Sequence, residues 1–262
     1  MRQTFRILRQ LMSSYLSVSL TYRLDFLQSI VASLVWSGLS FTSAYLVTSQ
    51  APSVAGLSRS DLLLLTSTYG IIMGTHHWFC TRGFSQFWQT IHKGELEGYL
   101  LKPFDTVTLL TLRNIGWGSS IRVLASVFTT WWIIQYYALP VSLANVALFI
   151  LLSIPAFLLI YAIYTISVTI LIWHPYLSNL LELINTGVGT GRYPLAIVRH
   201  TPKYLSVWFL PFLLVINIPT LALTGKLNVA WGVSFVIVSL TTWYVSRRFW
   251  RYALRFYTSA SG

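Results

Sequence analysis

Five histidines, one cysteine and six acids are the side chains with which this 262-residue chain could do chemistry. Their spacing argues against most of it. His76 and His77 are adjacent, so on a helix their rings diverge by about 100°, whereas a chelating pair needs the i, i+4 repeat. They read as histidines facing a membrane interface. Cys80 stands alone, which excludes an internal disulfide and a multi-cysteine metal centre, and it reads as a small apolar packing residue. Gly225-Lys226 is followed by Leu227 and lacks the upstream glycine of G-x-x-x-x-G-K-[ST], so the chain carries no phosphate-binding loop of that kind. H-E-x-x-H and G-x-S-x-G are missing too, and no two carboxylates are spaced to share a pocket. An enzyme acting on lipid inside a membrane would have to draw its acid or base from His76, His77, His174 or Glu182. That is one reading of the chain, and a non-catalytic membrane scaffold is another.

The densest polar chemistry lies in residues 84 to 105, the longest charged run between two nearly apolar blocks. Glu95, Glu97 and Asp105, half of all the acids, sit there beside Lys93 and Lys102. Phe84, Phe87, Trp88 and Ile91 recur at the i, i+3, i+4, i+7 spacing of one helical face. The spacing predicts an amphipathic helix, a break at Gly94, and a second short helix stopped before Pro103. A helix resting in lipid headgroups would explain the apolar face. Anionic lipid would repel the acids, which point instead to a protein partner. Periodicity does not separate the two.

The elements that must hold this stretch are membrane spans. With 55% hydrophobic and 9% charged residues, against roughly 25% charged in a soluble domain, the chain cannot present an ordinary wetted surface. The net charge of +12 raises nucleic acid as a partner. The basic residues gather at the ends of apolar blocks instead of forming one stripe, so membrane topology accounts for them and nucleic acid is set aside.

The fold expected is an all-α integral membrane protein of one domain, with six transmembrane helices. Residues 1–24 form an interfacial helix with Arg2, Arg6 and Arg9 turned away from Phe5, Leu8, Met12, Tyr15 and Leu16, without a cleavable signal. Residues 26 to 47 make the first span. A turn-rich loop, 49 to 61, follows, with Ser58 or Ser60 as a cap. The second span covers 62 to 79, and 82–107 is the cytoplasmic segment. The third runs from 109 or 115 to 137 with an aromatic end at Trp131, Trp132, Tyr136 and Tyr137. After a turn at Pro140 the fourth covers 144 to 173, kinked near Pro155. The fifth is either 176 to 197 or 204 to 223, and the last is 229 to 245. Lys and Arg number four before the first span, four in 82 to 113 and four in the basic tail 246–262, 12 of 18 in all. The positive-inside rule then places both termini and the charged segment in the cytoplasm. Arg122, in the first half of the third span, and Glu182, in a moderately apolar region, are intramembrane charges and candidates for a polar conduit.

Three stretches carry a resemblance. Ile91-His-Lys-Gly94-Glu95-Leu96-Glu-Gly-Tyr-Leu100-Leu101-Lys-Pro103 is similar to the I-x-x-G-x-[LI]-x-x-x-L-[LI]-x-P signature between the second and third helices of type-2 ABC transporter permeases. Gly191-Arg192-Tyr193-Pro194-Leu195-Ala-Ile197 followed by Pro202, and the tail from Arg247 to Ser261, resemble two further motifs of its small branch of about this chain length. Trp250-Arg251-Tyr252 departs from the Gly-rich lead into that tail, and Arg199-His200 is an insert. The resemblance implies a permease subunit, in export direction, of an ATP-driven transporter in the bacterial inner membrane. It implies a second permease chain, the same or related, and two ABC ATPase subunits. No cofactor is expected in this chain, since ATP and Mg would be held by the partner ATPase. It also implies that Phe87, Trp88, Ile91, Gly94, Glu95, Leu96, Leu100, Leu101 and Pro103 belong to the ATPase-coupling segment. It favours 176 to 197 as the fifth span, with 204 to 224 as an outer re-entrant element.

Overall fold

The computed structural model describes residues 21–50, 53–54, 56–102, 104–112, 114–174, 176–177, 179–200 and 202–257. The expected interfacial helix therefore falls almost wholly outside the described residues. The rest is helical apart from a two-residue hairpin, β1 (Ser53–Val54) and β2 (Leu57–Ser58), in the first loop.

Helix α1 (Arg23–Gln50) is 28 residues long and apolar enough to cross a membrane, its residues exposed along nearly the whole length because it meets few others of the chain. Ser58 caps α2 (Arg59–His76) by accepting from the Asp61 amide, as the sequence predicts. The helix then widens into a π-helical turn, His77–Thr81, and continues as α3 (Arg82–His92). The turn inserts extra backbone and rotates the faces that follow. Gly70 and Gly74 can therefore pack on one neighbour while Phe84 and Phe87 pack on others.

After Lys93, Gly94 takes φ +70, a left-handed conformation that favours glycine. Next come α4 (Glu97–Leu100) and α5 (Thr106–Leu112), the latter capped by Asp105, which accepts from the Thr108 amide at 2.9 Å. Of the two starts expected for the third span, the one at 109 fails and the one at 115 agrees. A 3-10 turn at Trp117–Ser119 separates α5 from α6 (Ser120–Tyr136). Gly116 donates to the Trp78 carbonyl at 2.7 Å, and a Cβ on Gly118 would meet Ser29 Oγ at 1.8 Å. The break exists because α1 passes directly over the chain at that point.

Small residues let α2 and α6 approach each other in antiparallel fashion. A Cβ on Gly70 would overlap Ser126, and one on Gly74 would press on Val123. Thr130 donates to Ser67 Oγ across the same seam at 3.0 Å, a close packing typical of membrane helices. Helix α7 (Leu143–Ile170) holds Pro155 within an unbroken helix.

The region from 176 to 200 corrects the resemblance. Helix α8 (Leu180–Gly189) has ten residues, about 15 Å of rise, half of what a bilayer core needs. It is followed by 3-10 turns at Thr190–Arg192 and Leu195–His200. Gly187 and Gly191 lie against Phe212 and Ile216. These residues are on α9 (Lys203–Leu223), 21 residues and thus about 31 Å long. Because α8 climbs alongside α9 and the chain then drops back to start α9, the segment 180–200 is the re-entrant piece. The fifth full-length helix is α9, in spite of Pro211 and Pro219. Asn217 on α9 receives the turn: Oδ1 accepts from the Leu195 amide at 3.1 Å and Nδ2 donates to the Tyr193 carbonyl at 3.1 Å.

Helix α10 (Val229–Ala253) runs parallel to α7. Gly225 adjoins Asn145 at one end, Arg247 lies over Tyr161 further along, and Trp173 meets Phe249 and Phe256 at the other end. Thus α1, α2, α6, α7, α9 and α10 pass along the bundle six times. The start of α1, the α3–α5 segment, the re-entrant mouth and the end of α10 share one end.

Candidate functional site

Two places on this bundle concentrate polar side chains. The first is the segment from α3 to α5. Phe84 and Phe87 have no exposed surface, and Ile91 and Leu96 are buried. Phe84 packs on Tyr161 and Tyr164 at ring distances of 5.3 and 5.2 Å, and Phe87 on Trp250 at 5.1 Å. The apolar face read from the sequence is therefore sealed against α7 and α10, and it is not available to lipid headgroups. Glu95, Glu97, Leu100 and Leu101 face outward, Leu101 with 88% of its surface exposed. Gly94 supplies the turn between the two halves. Pro103 and the side chain of Trp88 lie outside the described residues.

The segment is tied down at its far end as well. Arg247 Nη1 donates to Asp105 Oδ2 at 2.6 Å, and Arg247 Nη2 donates to Thr108 Oγ1 at 2.9 Å. The same guanidinium lies over the Tyr161 and Trp243 rings. Partial burial pulls the Asp105 carboxyl upward. The Thr108 hydrogen bonds and Arg247 outweigh it and hold the carboxyl below its usual range. Thr111 on α5 shares a 3.2 Å hydrogen bond with Tyr161 on α7. The α3–α5 segment is thus in direct contact with both α7 and α10.

The second place is a cavity of about 1170 Å³ between α1, α2, α6, α7 and the re-entrant segment. Arg122 and Glu182, the two charges singled out from sequence, both line it. So do Asp25, His77, Arg82 and Arg192, together with Tyr69, Tyr164 and Tyr193. Arg122 and Arg192 reach the same ring, their guanidinium carbons 5.7 and 6.0 Å from the Tyr69 centroid. In the same lining the Tyr164 hydroxyl donates to Asn185 Oδ1, and Asn185 Nδ2 donates to Glu182 Oε2 at 3.3 Å.

The histidines part company here. His76 is fully buried among Phe84, Phe157 and Tyr164, so the interface-facing expectation is wrong for it; it continues the buried face of α2 that carries Tyr69, Ile72 and Met73. His77 lines the cavity, and its Nδ1 bonds the Met73 carbonyl at 2.8 Å. A carbonyl only accepts, so Nδ1 carries a proton. Cys80 is buried, as expected of a packing residue. No group of three metal-ligating side chains occurs among the described residues. Sequence reasoning missed Arg82, Arg192, Tyr69 and the α1 polar stripe, Gln28, Ser29 and Ser33. With Asp25 the stripe was legible as an i, i+4 repeat, 25, 29 and 33, inside an apolar helix.

A bundle of apolar helices with a buttressed charged segment at one end and charges inside is what a permease needs, and sequence comparison decides the matter. The sequence model of the ABC-2 family transporter protein matches residues 34–261. The chain belongs to that family. Neither a curated protein nor a solved structure matches it. As an ABC-2 transporter protein it is the membrane-embedded subunit of an ABC transporter, and the lipid-acting enzyme drawn from His76, His77, His174 and Glu182 is set aside. In the ABC-2 chain the I-x-x-G-x-L motif coincides with the Gly94 turn, and the Arg192-Tyr193 motif with the re-entrant tip.

Proposed function

We propose that this ABC-2 permease works as an exporter in the bacterial cytoplasmic membrane, with both termini and residues 82–107 in the cytoplasm. Two permease chains pair with two ATPase subunits, which bind ATP and Mg. The observation that carries the reading is the buttressing of α3–α5, with Phe84, Phe87, Ile91 and Leu96 locked into the bundle and Glu95, Glu97, Leu100 and Leu101 left outside. The outward residues meet the ATPase, and the inward ones convert its displacement into movement of α7 and α10. Coupling of this kind requires a rigid element that a partner contacts differently in two states. Arg122 and Glu182 face the substrate path.

The test is co-purification of the tagged permease in mild detergent, with transport and ATP hydrolysis measured on the recovered complex. Glu95→Lys is expected to remain inserted but to lose the ATPase subunit and coupled transport. Undiminished recovery and substrate-stimulated hydrolysis in that variant would remove the docking role. Arg122→Glu is expected to assemble normally and fail to transport; normal transport would exclude Arg122 from the path.

A further inference from the structure

We propose that the cavity between α1, α6 and the re-entrant segment binds the oxyanion headgroup, phosphate or carboxylate, of an amphiphile whose apolar chain lies along α1. This names the substrate class of the path and rests on the permease reading.

Three guanidiniums face this one cavity, those of Arg82, Arg122 and Arg192. Among the described residues none of them is in ion-pair contact with a carboxylate, since the ion pairs there are Lys226–Asp61 and Arg247–Asp105. Arg122 Nε is buried without any hydrogen-bond partner. Leaving such a donor unmatched in a poorly solvated place is costly, and guanidinium is the side chain whose planar fork matches an oxyanion. Arg122 and Arg192 each approach the Tyr69 ring, 5.7 and 6.0 Å from its centroid, and both line the one cavity, which is where the headgroup is placed. Asp25 and Glu182 face the same space. Glu182 accepts from Asn185, and with Arg82, Arg122 and Arg192 the guanidiniums of the lining outnumber its two carboxylates.

The tail assignment comes from continuity. Gln28, Ala32 and Trp36 border the polar cavity and also an exposed apolar stripe of α1 that carries Leu24, Leu27, Val31, Val35 and Leu39. A molecule with its head among the arginines leaves past Trp36 directly onto that stripe. A free inorganic anion would use the cavity alone. An amphiphile uses both, and its tail stays in lipid while its head is held away from water.

The experiment needs no ATPase. The permease alone, in maltoside detergent, is titrated calorimetrically with dodecyl phosphate, inorganic phosphate and dodecyltrimethylammonium. Saturable binding of dodecyl phosphate is expected, weakened at least tenfold in Arg122→Gln and in Arg192→Gln and unchanged in Arg248→Gln on the tail. If Arg122→Gln is not monodisperse on sizing, Arg192→Gln and Arg82→Gln, the latter at an exposed position, carry the test. Equal affinity for inorganic phosphate would overturn the amphiphile. Equal affinity for the cationic detergent, or arginine variants that bind as tightly as the wild type, would overturn the headgroup assignment. A failed coupling test with Glu95→Lys leaves this binding untouched, and failed binding leaves the coupling test standing.

Discussion

Substituting Gly83 by alanine tests how the α3–α5 segment is held. A Cβ at residue 83 would fall 2.0 Å from the Thr111 carbonyl oxygen and 2.5 Å from Thr111 Cα. Those are backbone atoms, so no side-chain rotation relieves the overlap. Restoring ordinary contact, which begins near 3.4 Å, moves α5 away from α3 by about 1.4 Å. Such a shift would break the 3.2 Å Thr111–Tyr161 hydrogen bond. It would also unseat α5 from the π-helical turn, which carries the buried Cys80. Overpacking of this kind costs about 1–3 kcal/mol.

Cys80 is the only cysteine in the chain, which makes the assay direct. Alkylation by a maleimide under native conditions reports local opening at that residue. A loss of about 1–3 kcal/mol predicts labelling roughly 5- to 150-fold faster than in the wild type. Gly98→Ala is the control, because nothing lies within 4 Å of a Cβ there. Labelling of Gly83→Ala at the Gly98→Ala rate would refute the close packing of α3 on α5, and with it the rigidity on which the coupling argument depends.

Gly94→Pro is expected to leave the bundle inserted but uncouple ATP hydrolysis from transport, since proline fixes φ near −65° where this turn takes +70; coupled turnover at the wild-type level would contradict it. For Asp105 and Arg247, each single charge reversal should lower thermal stability and the exchanged pair should recover part of the loss. An exposed pair is worth about 0.2–1 kcal/mol, and Asp105 is half exposed. The folded Asp105 carboxyl lies below its ordinary 3.8, so its contribution is complete above that value and is lost as the pH falls beneath it. A melting profile of Asp105→Asn parallel to the wild type through that window would count against the link. Asn217→Leu removes the partners of the Tyr193 carbonyl and Leu195 amide, at about 1–3 kcal/mol for the orphaned groups. Faster hydrogen exchange confined to residues 190–197 is expected, and unchanged protection there would show that the turn holds without Asn217.

The parts of this molecule that could be read directly were those set by local periodicity. The amphipathic α3, the Gly94 turn, the Ser58 cap and four of the six long helices follow from the spacing of apolar residues and from glycine and serine chemistry. The errors fell where tertiary contact overrides that pattern. Residues 109 to 137 are mostly apolar, and although Arg113, Asn114, Gly116 and Gly118 interrupt the first part, they do not by themselves fix where the helix breaks; the close approach of Ser29, about ninety positions earlier in the chain, does. For the fifth span the residues leave 176 to 197 and 204 to 223 open, the second more apolar and preceded by the basic cluster Arg192, Arg199 and Lys203; the resemblance, not the local pattern, favours the first. The side chain that fixes which one turns back is Asn217, whose hydrogen bonds are invisible in one dimension.

The same limit explains the cavity. Arg122 and Glu182 were visible because each is a charge inside an apolar region, and such charges are rare unless they face water or a partner. Arg82 and Arg192 looked like ordinary helix-end cations. It takes the π-helical turn after His76 to set the exposed residue 82 at the rim of the cavity, and the shortness of α8 to bring residue 192 up to Tyr69. Both devices are departures from a regular bundle: one adds backbone to a helix, the other ends a helix halfway. In a membrane each departure leaves backbone groups to be satisfied, and irregular backbone is tolerated there only inside protein or beside water. The cavity meets that requirement on one side and Asn217 meets it on the other. The polar path and the irregular helices therefore depend on each other, and a variant that straightened either one would close the space between them.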